Sequence, residues 1–500
     1  MSSKLIQNLI EYAKNHLSLD SRDEFYIRNR LLESLKIEEF KETKADSVSD
    51  LKNPETVILP LVEYALKKEL ITEAESEYFA FKLLDLVSLR PSEVIRRFQS
   101  EYEKTPLAAF SWLYDYNVKN DYVRSTKIVK NIGWIAEETK GKLEITINLS
   151  KPEIQHSEVK AAAKKKAGYP KCVICPENEG YAGHGTYRQN LRGIPLLLGG
   201  EDYFWQFSPY AYFNHHGIAI SYEHKPMRVD LNTAKKLFDF VDFIPAYFIG
   251  SNAGIPRVGG SILAHDHYQG GFHPMPLNNA STRLLLSSEK YQKTEIFIPE
   301  WYNSLIRLKG KVREEIEALA GEIITTWENY DDYENEIIAF TDEGHNGFSV
   351  IARKEKDEYI LDIILRNNRT SAEYPDGIFH AHPEYHHIKS EGIGLVEASG
   401  FFVLPPRLLR QLGYVEAVLT GEIENPDFAG DLESFRDMTR DLVSRYGKNN
   451  SKVAAQTYIR KEIGSVCENI LRNIAVFKDT EKGRTGFMKF LESIGLKEVR

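Results

Sequence analysis

The apolar residues change their period near residue 131, and that change restricts the chain to folds that keep helices and sheet in separate stretches. Before it, Leu5, Ile6, Leu9, Ile10 and Ala13 recur at three and four, the spacing of one helix face. The stretches 61–70 and 77–89 repeat the pattern, punctuated by Pro54, Pro60, Pro91 and Pro106. After it, Leu143-Glu144-Ile145-Thr146-Ile147-Asn148-Leu149 alternates cleanly, as a half-buried strand does. Further strands are expected at 194–198, 204–210, 216–221, 247–249, 336–340, 347–353 and 359–366, with helices at 232–243 and 309–329. A short basic helix is expected over Lys160–Lys166, read as a solvated face rather than a phosphate site. The tail from Gly421 is helical and mostly polar.

At 500 residues the chain has room for two to four packed units. Its net charge of −9 gives no general attraction to nucleic acid or to acidic membranes, so an anionic ligand has to be met by a local pocket. No run approaches the ~18 apolar residues of a membrane span. The start, Met1-Ser2-Ser3-Lys4-Leu5-Ile6, lacks the apolar core of a secretion signal. Three cysteines are too few for a disulfide scaffold and suit a reducing cytoplasm. A cytoplasmic protein with neither nucleic-acid nor membrane partners is expected.

Chemistry concentrates in Gly259-Gly260-Ser261-Ile262-Leu263-Ala264-His265-Asp266-His267-Tyr268-Gln269-Gly270-Gly271. If this stretch is extended, His265, His267 and Gln269 line one face about 7 Å apart, whereas on a helix residues two apart diverge by about 200°. Asp266 and Tyr268 then point away and serve packing and orientation. The flanking glycines permit positive φ and a close approach of an anion. An imidazole nucleophile beside a neutral amide donor suits attack on phosphorus. Two structural or metal-ligating histidines on a strand is the competing reading.

A second motif, Lys171-Cys172-Val173-Ile174-Cys175-Pro176, places two thiols where both reach one ion, half of a tetrahedral zinc site. Redox chemistry is the rival, but thioredoxin-like pairs open a helix after a strand, and here Pro170 and Pro176 flank a knuckle. Arg188 and Arg192 have the guanidinium geometry of bidentate phosphate ligands, or are ordinary exposed arginines. The aromatics of 204–210 suit a core and also a wall for stacking a base. His380, His382, His386 and His387 fall within eight residues in a chain with only 14 histidines.

The glycine-framed His-x-His-x-Gln arrangement resembles the signature of the nucleotidyltransferase branch of the histidine-triad superfamily. The longer run Tyr247-Phe248-Ile249-Gly250-Ser251-Asn252 through Gly271 is similar to the galactose-1-phosphate uridylyltransferases, most of all to the second of their two sequence groups, common in Gram-positive bacteria. Arg28-Asn29-Arg30-Leu31-Leu32, Arg90-Pro91-Ser92-Glu93-Val94-Ile95 and Tyr385-His386-His387-Ile388-Lys389 share the likeness, which spans nearly the whole chain.

The resemblance implies an α+β enzyme: a helical N-terminal region (1–125), two histidine-triad-like mixed-sheet halves (126–300 and 301–420) and a helical tail (421–500). It implies uridylyl exchange between UDP-glucose and galactose 1-phosphate, with His267 as nucleophile and Gln269 as donor to the phosphoryl oxygens. Cys172, Cys175, His224 and His265 would hold a structural zinc ion. Asn252 and Ser261 would bind the nucleotide phosphates, with Arg188 and Arg192 as further candidates. His386 and Lys389 are assigned to the sugar phosphate, with a solvated surface as the alternative. A second metal near the clustered histidines is left open, because the glutamate expected after the triad has no clear equivalent in Pro274-Met275-Pro276-Leu277-Asn278. A homodimer is implied. Another histidine-triad nucleotidyltransferase, a dinucleoside polyphosphate phosphorylase, and a non-catalytic zinc-stabilised binding protein are the competing functions.

Overall fold

The computed structural model describes residues 2–150, 168–183, 188–260 and 262–499. The expected helix at 160–166 and the candidate phosphate ligand Ser261 lie outside these residues. Its strands in chain order begin with β1 (Ile132–Glu138), β2 (Gly141–Ile147), β3 (Ile194–Leu198), β4 (Glu201–Phe207) and β5 (Gly217–Ser221). There follow β6 (Phe248–Ser251), β7 (His267–Gly271), β8 (Thr282–Ser288), β9 (Glu295–Pro299) and β10 (Leu305–Gly310). The last are β11 (Asn346–Glu355), β12 (Glu358–Asn367), β13 (Phe401–Leu404) and β14 (Leu496–Glu498). The architecture is α+β.

Two compact units divide the chain, one of 1–126 with 166–225, the other of 127–165 with 226–500. They are discontinuous, whereas the sequence reading cuts the chain into four consecutive regions. The cause is long-range pairing: β13 lies parallel to β2, with Phe401 opposite Glu144, and so carries the β1–β2 hairpin into the second unit.

In the first unit, prolines and polar caps start the helices. Pro54 opens Pro54–Lys67 behind Asn53, whose Oδ1 accepts from the Thr56 amide. Pro106 opens Pro106–Lys119 behind Thr105, whose hydroxyl accepts from the Ala108 amide. Both prolines sit where a missing N–H costs nothing. Ile6, Leu9, Ile10 and Ala13 are fully buried, as their spacing predicts, and Leu5 is half-buried. Strands β3, β4 and β5 form an antiparallel ladder in this unit.

In the second unit, strands run in the order β14-β8-β9-β10-β12-β11-β6-β7. The ladder alternates sharply across its two faces. Phe348, Val350 and Ala352 of β11 and Leu361, Ile363 and Leu365 of β12 point one way. Helices Thr233–Phe243 and Arg313–Glu328 pack on these strands, and Trp327 donates to the carbonyls of Gly347 and Arg366. The opposite face carries Ser349, Ile351 and Arg353, with Asp362, Ile364 and Arg366 across from it. The register Gly250↔Ile351 and Gly250↔Gln269 extends this polar face through β6 to β7, so Gln269 and His267 stand on it.

Three expectations need correction. The predicted helix at 309–329 begins only at Arg313, because Leu305–Gly310 is a central strand with both neighbours paired. The predicted strand at 336–340 makes only the isolated bridges Asp332↔Ile337 and Phe340↔Gly344, since a turn capped by Asp332 precedes it. The C-terminal tail is helical but closes with β14, which pairs antiparallel with β8.

Candidate active site and metal centre

The catalytic strand is shorter than the sequence suggests. β7 starts at His267, and His265 lies in a bend before it, so alternation governs His267 and Gln269 but not His265. The bend follows a turn forced by glycine. Gly259 has φ +111°, and a Cβ there would lie 2.6 Å from Gly394 Cα and 2.8 Å from the Ile393 carbonyl oxygen. No other residue tolerates both the dihedral and the approach.

His265 nevertheless sets the chemistry of His267. The Nδ1 of His267 donates to the His265 carbonyl at 2.8 Å, which fixes the tautomer and leaves the lone pair on Nε2. Burial pushes the His267 pKa below its ordinary value, so the ring is neutral at pH 7. A neutral imidazole with an available Nε2 is a nucleophile. Gln269 follows on the same face, half-buried, while Tyr268 points to the other face and is buried.

Asn252 is buried just past β6, and its Oδ1 accepts from the Leu395 amide at 2.8 Å. That bond fixes the amide orientation and keeps Nδ2 as the outward donor, the polarity an anion requires.

The thiols form a knuckle. Cys172 Sγ is 3.4 Å from Cys175 Sγ, which is 3.2 Å from His224 Nδ1. Asn178 clasps the turn, donating to the carbonyls of Cys172 and Cys175 at 2.8 and 2.9 Å. His265, the fourth donor that the resemblance implies, belongs to the second unit. Two sulfurs and two imidazole nitrogens make the donor set of a closed tetrahedral zinc site. Burial and the neighbouring Cys172 thiol push Cys175 up to about 12, the behaviour of crowded thiols whose thiolate form needs a cation.

Other expected ligands have different surroundings. Arg192 is a correction: buried, it donates to the carbonyls of Leu89, Gln189 and Leu191 and to Asp85 Oδ1 at 2.7 Å. Those bonds satisfy chain ends between a helix and β3 and occupy the guanidinium. Arg188 donates to the Tyr122 hydroxyl at 2.9 Å. Lys389 is also internal, paired with Glu397 at 3.0 Å and donating to the Val403 carbonyl. His382 and His386 each meet a backbone carbonyl, of Ile378 and Ala381. Among the described residues, the clustered histidines are not brought together as a metal-ligand group.

Comparison with known proteins decides the family. The galactose-1-phosphate uridyl transferase N-terminal domain matches residues 18–226, and the C-terminal domain of the same enzyme matches 240–425. The galactose-1-phosphate uridylyltransferase of Caldanaerobacter subterraneus subsp. tengcongensis is 37% identical, covering 99% of this chain and 98% of that one. The enzyme of Bifidobacterium longum subsp. longum is 38% identical over 98% of this chain and 97% of its own. The chain belongs to the galactose-1-phosphate uridylyltransferase family. This is a family of nucleotidyltransferases, and the chain is similar over its full length to a relative named galactose-1-phosphate uridylyltransferase 2, from Streptococcus pneumoniae (37% identity, 98% of this chain and 99% of that one). Among solved structures it resembles yeast Ap4A phosphorylase Apa2 only remotely, at 13% identity and a TM-score of 0.32 over 59% of this chain and 87% of that one.

Sequence reasoning missed Arg366, Ser349 and Asp362, which share the face of His267. Their signal was available: in β12 the charges of Asp362 and Arg366 interrupt an otherwise apolar strand at one-face spacing.

Proposed function

We propose that this chain transfers a uridylyl group from UDP-glucose to galactose 1-phosphate through a covalent intermediate on His267. The observation that carries the reading is the Nδ1 bond of His267 to the His265 carbonyl, which directs Nε2 to the polar face. Nε2 attacks the α-phosphorus, the N–P bond forms, and the P–O bond to glucose 1-phosphate breaks. The positive charge left on the ring is shared through Nδ1–H with the His265 carbonyl. An oxygen of galactose 1-phosphate then attacks the same phosphorus, the N–P bond breaks, and UDP-galactose leaves. Gln269 donates to the phosphoryl oxygens as charge gathers on them, and Asn252 Nδ2 adds a second donor. A sugar phosphate leaves without a general acid.

Cys172, Cys175, His224 and His265 are the residues that would hold zinc, a donor set suited to a structural ion. The chain acts as a cytoplasmic homodimer in this reading. The described residues contain no helix long and apolar enough to cross a membrane, and sedimentation tests the dimer. Arg188 stays a candidate phosphate ligand, and His386 a candidate for the sugar phosphate. Adenylyl or dinucleoside polyphosphate chemistry loses ground because the full-length relatives are uridylyltransferases.

Incubation with uridine-labelled UDP-glucose alone should label the protein, with acid releasing the label, as a phosphoramidate requires. Double-reciprocal plots should be parallel. Intersecting lines with no labelled protein would mean both sugar phosphates bind together and would sink the covalent mechanism.

A further inference from the structure

The polar face that carries His267 and Gln269 also carries three arginines, and they are not equivalent. Arg307 and Arg353 converge on Asp362, with bonds of 2.6 and 3.1 Å from the first and 2.7 Å from the second. Arg366 has no such carboxylate. It is fully buried on β12, and its single hydrogen bond runs from Nη2 to the Ile393 carbonyl at 2.8 Å. Nε and Nη1 have no partner among the described residues, nor does the buried Ser349 hydroxyl on the same face. The carboxylate acting on Arg366 is that of Glu397, already held by Lys389 at 3.0 Å and by the Gly394 amide at 3.1 Å. Burial keeps Arg366 below its ordinary value but still near 10, so it is charged at neutral pH. Nearby His380 is neutral there, because burial, with a contribution from Arg366, takes it to about 4. Arg366, Lys389 and Glu397 together therefore leave one positive charge unmatched in the interior. An unmatched buried cation is costly to a fold that gains nothing from it.

We propose that Arg366 is an electrostatic positioning residue, whose uncompensated charge holds the phosphates of the nucleotide on the face that carries His267. A charge in the low-dielectric interior reaches further than one in water, so contact is not required. Ile393, which Arg366 holds, lies against Gly259, and Leu395 holds Asn252, so the same segment couples Arg366 to two parts of the site. This inference rests on the reading of the site as one for a uridine nucleotide.

The test is charge-selective binding. Dissociation constants for uridine, UMP and UDP-glucose would be measured by calorimetry on the parent, Arg366→Gln and Arg366→Met. The expected result is a loss of at least tenfold for UMP and UDP-glucose, with uridine within twofold, in protein whose ligand-free Tm is unchanged or higher. An apolar replacement of an unmatched buried charge is commonly neutral or stabilising. Glutamine can still donate to Ile393, so Arg366→Gln removes the charge and keeps that tie. UMP affinity within twofold of the parent would overturn the proposal, as would parallel loss of uridine and UMP. A clear fall in Tm, or failure of both variants to fold, would show Arg366 to be structural and overturn it equally. A parent that binds none of the three would instead remove the uridine-nucleotide reading beneath it.

Discussion

His267 and Gln269 stand on one strand face but make different demands. His267→Ala removes the atom that forms the bond to phosphorus, and no neighbouring group replaces it. Uridylyl transfer should become undetectable while circular dichroism stays that of the parent; near-parental activity would refute the nucleophile. Gln269→Ala removes one donor to a developing charge, typically worth roughly 2.7–4 kcal/mol, so kcat should fall about 10²–10³-fold. Asn252→Asp separates two tasks of one side chain. The acid keeps an oxygen for the Leu395 amide but loses the donor and adds repulsion toward phosphate. KM for UDP-glucose should rise more than tenfold with little change in Tm. A large loss of stability would show that the amide's work is only structural.

The elements around these residues hold them by backbone geometry and by paired charge. Gly259→Ala meets both a dihedral few side chains adopt and a Cβ 2.6 Å from Gly394 Cα. Such strain costs on the order of 1–3 kcal/mol, and relief means shifting the turn before His265. Both Tm and kcat should fall, and an unchanged kcat would uncouple the turn from the site. On β12, flanking arginines hold the Asp362 carboxyl well below the usual range despite its burial. A depressed carboxyl contributes stability above its unfolded pKa of about 3.9, and loses it as pH falls through the folded value. Asp362→Asn leaves the buried Arg307 without its carboxylate partner and Arg353 with only Glu355 at 3.6 Å, and should cost roughly 3–5 kcal/mol at pH 7. The difference in unfolding free energy between parent and variant should shrink below about pH 4; a difference independent of pH would place the stabilisation elsewhere.

These elements also mark the limits of the sequence. Strands 347–353 and 359–366 were legible because their apolar runs are long and bounded by turns. Leu305–Gly310 was not, since a short apolar run beside an amphipathic helix fits either element. His267 and Gln269 could be placed by alternation, but the bend at His265 depends on how Gly259 meets Gly394, more than a hundred residues away. Arg192 showed its chemistry in the sequence but not its burial, which Asp85 and three carbonyls decide.

For the molecule as a unit, the metal centre ties local order to global stability. A ligand that binds only the folded state raises stability with its free concentration, so chelation should lower Tm and zinc should restore it. Cys172→Ser should have the lowered Tm in both conditions and contain less than one zinc per chain. An unchanged Tm after chelation, with no metal detected, would make the knuckle a bare turn. The two-sided ladder of β11 and β12 has a consequence for tolerance to change. Substitutions facing helices Thr233–Phe243 and Arg313–Glu328 will register as lost protein abundance, whereas on the intervening face those at Ser349 and Arg366 will register as lost turnover by protein that accumulates normally and those at the ion-paired Arg353 and Asp362 as both. A library covering every position of these two strands, scored separately for both properties, should therefore show two damage profiles out of phase except at that ion pair, each repeating every second residue.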